Sequence, residues 1–148
     1  MAFHFVFAPL LRLRQSLERQ QAMRLREASL AVARAQETLS SVEQLLKNSA
    51  RADEALLRVG RIAVEVQFAA LQRQRTEGLR QSCGDELTRL ESHRQAVALA
   101  HEHAYQGRDV LDTLATQQRH TYQQEQLQRE QRDLDASHLL QLWRKRHG

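Results

Sequence analysis

Three groups of residues in this 148-residue chain could in principle do chemistry. His101, Glu102 and His103 suggest a metal site. A zinc-binding helix needs its two histidines four positions apart, so that both side chains reach one ion. Four residues after His101 stands Tyr105, and residues two apart on a helix point to different sides. His93 lies more than two helical turns before His101, so these read as ordinary helix histidines. Cys83 is the one cysteine; it has no evident activating neighbour and reads as a small buried or hinge residue. Arg19, Arg26 and Arg34 share a helical face that could meet nucleic acid. No aromatic residues interleave with them and Glu18, Glu27 and Glu37 dilute the charge, so the face reads as solvated or partner-facing. The five glycines are too scattered for a phosphate-cradling loop. No catalytic, cofactor or metal site is expected, and no enzymatic activity.

The elements that carry these residues are helices. The single proline is Pro9, so nothing beyond it interrupts a helix by the loss of an N–H. Ala, Leu, Arg, Gln and Glu, which lose little freedom in a helix, dominate the rest. Aromatic residues are only 5% of the chain, too few for a large compact core. The formal net charge is +4, with arginine at both ends of the chain, and a modest basic excess attracts acidic partners of any kind. One cysteine admits no internal disulfide, which suits a reducing compartment. The opening FHFVFAPLL lacks a basic region before its apolar run and meets Arg12 at once, unlike a signal peptide. No stretch reaches the ~20 apolar residues of a spanning helix.

The first helix is expected to begin near Pro9, where a missing N–H costs nothing. Leu10, Leu13 and Leu17 open an apolar stripe. Leu25, Ala28, Val32, Ala35, Leu39, Val42 and Leu46 then follow in alternating steps of three and four, the seam of a left-handed coiled coil. The two four-residue steps Leu17–Gln21–Leu25 read as a stutter. After Leu46 the pattern fails at Asn48, Ser49 and Asp53, and Gly60 follows. The expected layout is therefore helix 1 over about 9–50, a reversal over about 48–61 and helix 2 over about 62–143. Ser82-Cys83-Gly84-Asp85 is the rival reversal. A second, weaker seam runs Leu90, His93, Val97, Ala100, Ala104, Gly107, Leu111, Leu114. Beyond it the chain is polar on nearly every face, with Leu127 and Leu134 one heptad apart: a helix awaiting a partner, or a frayed tail. The fold class is thus all-α, two long helices in an antiparallel coiled-coil hairpin forming one elongated unit over 1–148. An arm of some fifty residues would run roughly 75 Å at ~1.5 Å per residue. Phe3, Phe5 and Phe7 either cap the open end or meet a partner, and Trp143 near the other terminus is incidental or an anchor.

At its two ends the chain resembles the FliJ family of flagellar type III export proteins. Phe3, Phe5, Leu10, Leu11, Leu13, Arg14, Glu18 and Ala22 match that family's opening. Arg129, Glu130, Gln131, Leu134, Asp135, Arg144 and Arg146 match its closing stretch, with Ala136 where the family often has Glu. The resemblance implies a two-helix antiparallel coiled coil similar to the rotor-stalk subunit of F-type ATPases. It implies a soluble stalk with no active site, cytoplasmic and peripheral at the cytoplasmic face of the cell membrane. Its open end would enter the ring of the export ATPase. Its tip would contact the cytoplasmic domain of the membrane export gate, and it would bind export chaperones. On that reading Arg12, Arg14, Arg144 and Arg146 form the ATPase end, and Leu46, Phe68 and Leu71 the gate tip. A virulence-type secretion stalk, a basic coiled coil binding nucleic acid through its arginine face, and a self-associating scaffold are the alternatives; no nucleic acid is expected on the leading reading.

Overall fold

The computed structural model describes residues 2–60 and 62–148. Among these the chain is all-α, two long helices packed against each other, with no strand. Helix α1 is Ala8–Val59 and helix α2 is Ala63–His147. Pro9 sits in the first turn of α1, where the Ala8 and Leu11 N–H groups donate to the Phe5 and Phe7 carbonyls at 3.1 and 2.9 Å. Gly60 stops the helix with φ +75°, a left-handed conformation that costs any other residue strain. Its N–H donates to the Leu57 carbonyl at 3.4 Å. Nothing lies within 4 Å of where a Gly60 Cβ would stand, so backbone conformation and not space selects glycine here. The Ile62 carbonyl accepts from the N–H groups of Glu65 and Val66 as α2 begins. Arg144, Lys145, Arg146 and His147 fill the last turn of α2, where positive charge suits the helix dipole.

The seam read from the sequence faces inward along α1. Ala28, Val32 and Val42 are buried, and Leu25, Ala35, Leu39 and Leu46 are half-buried. It does not end at Leu46. Ser49, Asp53 and Leu56 continue the same three-and-four spacing and are half-buried too. The helix expected to end near residue 50 therefore runs to Val59. Polar Asp53 is admitted because Arg73 reaches across from α2 and pairs with its Oδ2. Arg61, at the end of the expected reversal, lies outside the described residues. The rival reversal at Ser82–Asp85 is continuous helix.

Toward the N-terminus Gln21, Glu18 and Leu11 hold the same heptad positions and are half-buried, while Arg14 between the last two is exposed, as are Leu10, Leu13 and Leu17. The expected stutter is therefore absent: the heptad passes through polar residues that a search for apolar spacing skips. On α2, Leu90, Val97, Ala104, Gly107, Leu111 and Leu114 are half-buried, but His93 and Ala100 are exposed. His101, Arg108 and Ala115 lie half-buried beside them. A polar group at such a position keeps part of its water only by leaning outward, so neighbouring positions share the seam.

The chain divides into two compact units. Contacts between paired helices are local along the pair, so no one centre of packing gathers them all. One unit is Arg19–Glu102, comprising most of α1, the turn and the first part of α2. Later residues of α1 face earlier residues of α2 there, as the Asp53–Arg73 pair requires, so the helices run antiparallel. The other unit joins the chain up to Glu18 with His103–Gly148. In it Phe5 is buried, and Phe3 meets Tyr122 at a ring separation of 5.6 Å with the Arg119 guanidinium 5.7 Å from the Phe3 centroid. Phe3 thus packs on α2 within its own unit, while Phe7 is exposed and meets Phe5 edge to face. Every residue from Leu127 to Gly148 is exposed, although the helix persists to His147.

Candidate partner-binding site

In the Arg19–Glu102 unit, β-branched and aromatic residues gather about the turn without being covered. Val59, Ile62, Val64 and Phe68 are all exposed, Phe68 at 62% and Leu71 nearby at 57%. Val64, Phe68 and Leu71 are spaced four and three apart, which puts them on one face of α2. The turn forces this exposure, because two helices can cover only the faces they turn to each other. Beside these residues lies a cleft of about 120 Å³ lined by Leu56, Leu57, Val66, Ala69 and Ala70, with Asp53, Glu65 and Arg73 at its margin. A second, shallower groove brings Phe68 together with Val64, Ala69, Leu56 and Ser49. Leu46 lines neither. It is half-buried on the α1 seam, so Leu46 does not join Phe68 and Leu71 in a single patch. The exposed Val59, Ile62 and Val64 are members of this surface that the sequence reading missed. Their signal was a run of β-branched residues on both sides of a glycine.

In the other unit Arg12 and Arg14 are exposed on α1. The Arg14 side chain lies across Gly107, with Nη1 3.3 Å from where a Gly107 Cβ would stand. Arg144 and Arg146 are exposed in the last turn of α2, where Trp143 stacks on His147 at 4.9 Å. The two arginine pairs are not brought together as expected. Arg14 sits against Gly107, and the helix from Gly107 to Arg144 is roughly 55 Å long at ~1.5 Å per residue. The reason is that α2, at 85 residues, outruns the 52 residues of α1.

The other candidate groups are ordinary. Cys83 is half-buried in a shallow groove beside Ala35, Thr38 and Glu86. Among the described residues no three of His, Cys, Asp and Glu are grouped to hold a metal ion. Arg19, Arg26 and Arg34 are exposed. Two i,i+3 pairs lie on the solvent face of α2: Glu77 with Arg80 and Glu86 with Arg89, each 2.5 Å apart. The Arg89 hydrogen bond holds the Glu86 carboxyl below its ordinary range, and Glu77 and Glu86 raise their arginine partners. Such exposed pairs contribute little to stability.

Among the described residues no helix is long and apolar enough to cross a membrane. No protein-family model, curated protein or solved structure matches this chain.

Proposed function

We propose that this chain is a soluble component of the flagellar type III protein export apparatus. It links the export ATPase ring to the cytoplasmic domain of the membrane export gate and binds export chaperones. The observation that carries the reading is the uncovered apolar face beside the Gly60 turn, where Phe68 and Leu71 project from the two-helix pair. Exposed aromatic and aliphatic side chains of that kind serve as anchors for a partner. The exposed basic last turn of α2 supports a second contact with an acidic surface. The likeness of both chain ends to the FliJ family supplies the identity of the two partners. Arg12 and Arg14 are assigned to the ATPase together with Arg144 and Arg146; their separation requires that the ATPase engage a long stretch of α2 or one pair alone.

The test is retention of the purified chain on the flagellar export ATPase and, separately, on the export-gate cytoplasmic domain, with sheared DNA as competitor. Retention on both that survives DNA supports the proposal. Retention on DNA alone, weakening steeply with salt, would replace it with the basic coiled-coil alternative.

A further inference from the structure

We infer that two acid–arginine pairs set into the seam, Glu18–Arg108 and Asp53–Arg73, form a two-point lock that fixes the register of α1 on α2.

The pairs are alike in that each acid is largely covered, although Arg73 is 48% exposed where Arg108 is 25%. Each places a carboxylate at a seam position of α1 and an arginine of α2 across from it. Arg108 Nε stands 2.6 Å from Glu18 Oε2, with the side chains only 25% and 20% exposed. That Nε is buried and no hydrogen bond is aligned on it, so charge alone compensates it. The Arg108 guanidinium also lies 5.1 Å from the Tyr105 ring centroid. Asp53 is 15% exposed and is held by Arg73. Glu18 precedes Asp53 by 35 residues, and Arg73 precedes Arg108 by the same 35, which is five heptads on each helix.

The apolar seam by itself cannot choose a register. Its members are aliphatic and repeat at every heptad, with Ala28, Val32, Ala35 and Val42 among the leucines of α1 and Val97, Ala104 and Gly107 among those of α2. Sliding one helix by a heptad leaves apolar residues facing apolar residues. The charged residues break that degeneracy, and both pairs are needed. A slip of one heptad in one direction sets Asp53 opposite Arg80, an acceptable partner, but sets Glu18 opposite Ala115. The opposite slip sets Asp53 opposite Val66 and Glu18 opposite His101. Each wrong register therefore strands at least one half-buried charge, an outcome that costs more than the pair contributes in the right one. Asp53 alone would tolerate the first slip; Glu18 excludes it. Polar seam residues used this way trade stability for a unique alignment.

The lone Cys83 supplies a natural probe site, since Thr38 lines the same groove on α1. Spin labels on Cys83 and on Thr38→Cys in the full chain give one narrow distance distribution if the register is unique. Replacing Glu18, Asp53, Arg73 and Arg108 together by Leu should keep or raise the melting temperature. The distribution should then split or broaden, because a slip of one heptad moves the two labels about 10 Å relative to each other along the helix axis. An unchanged single distance in that variant overturns the lock. Should the leucine variant aggregate, Glu18→Arg with Asp53→Arg decides the matter. This mismatched chain should lose the single distance, and adding Arg73→Glu and Arg108→Glu should restore it. A mismatched chain that keeps the original distance overturns the proposal equally.

Discussion

At the scale of single residues, exposure separates function from folding. Phe68 is 62% exposed, so its removal should leave the helices intact. Phe68→Ala is expected to weaken binding to the export-gate domain by tenfold or more, as loss of an aromatic anchor does. Titration calorimetry measures it, with unchanged helicity by circular dichroism as the control. Equal affinity would remove Phe68 from the interface. Val32 is the opposite case, 3% exposed on the α1 seam. Val32→Ala should lower stability by about 2 kcal/mol, read from the urea midpoint, and leave the affinity of the chain that remains folded unchanged. The sequence set Phe68 and Leu71 beside the reversal but left open whether they close the hairpin tip or stand exposed. The placement of Leu46 was not legible in the sequence. It belongs to the same heptad that buries Val42, and a seam residue cannot also serve a surface patch.

At the scale of elements, the turn and the helix faces make separate predictions. Gly60→Ala forces a Cβ into a left-handed conformation and should cost about 1–2 kcal/mol, seen as a lower melting temperature. No steric clash contributes, because nothing lies within 4 Å of that Cβ. On α2, Glu86 has its carboxyl lowered by Arg89. A group lowered on folding contributes stability above its ordinary value and loses it as the pH falls through the carboxylate range. Glu86→Gln should therefore flatten slightly the acid-side loss of helicity, measured by circular dichroism between neutral pH and pH ~3. A variant with a steeper acid-side loss would contradict the sign. The α1 seam from Leu25 to Leu46 was readable because every member is apolar. Its extension through Ser49 and Asp53, and back through Gln21 and Glu18, was hidden. A search for hydrophobic periodicity cannot know that Arg73 and Arg108 stand opposite to compensate the acids.

At the scale of the whole molecule, the helix count and the all-α class followed directly from a chain with one proline and a repeated heptad. The joint basic end did not. Whether Arg144 falls beside Arg12 depends on where the chain turns and on how far α2 outruns α1, and both rest on long-range pairing that local spacing does not encode. The unequal lengths, 52 and 85 residues, leave the last turns of α2 uncovered, with Leu139, Leu140, Leu142 and Trp143 exposed among basic residues. The proposed link between ATPase and export gate therefore asks two different surfaces of one chain to be engaged together: the apolar face by the turn and the basic end of α2. The direct measurement is analytical ultracentrifugation of the chain mixed with the export ATPase and the gate cytoplasmic domain. The account predicts a three-component species in which one chain holds both partners, and which Phe68→Ala reduces to the ATPase complex alone. Two binary complexes that exclude each other, or no complex with either partner, would contradict it.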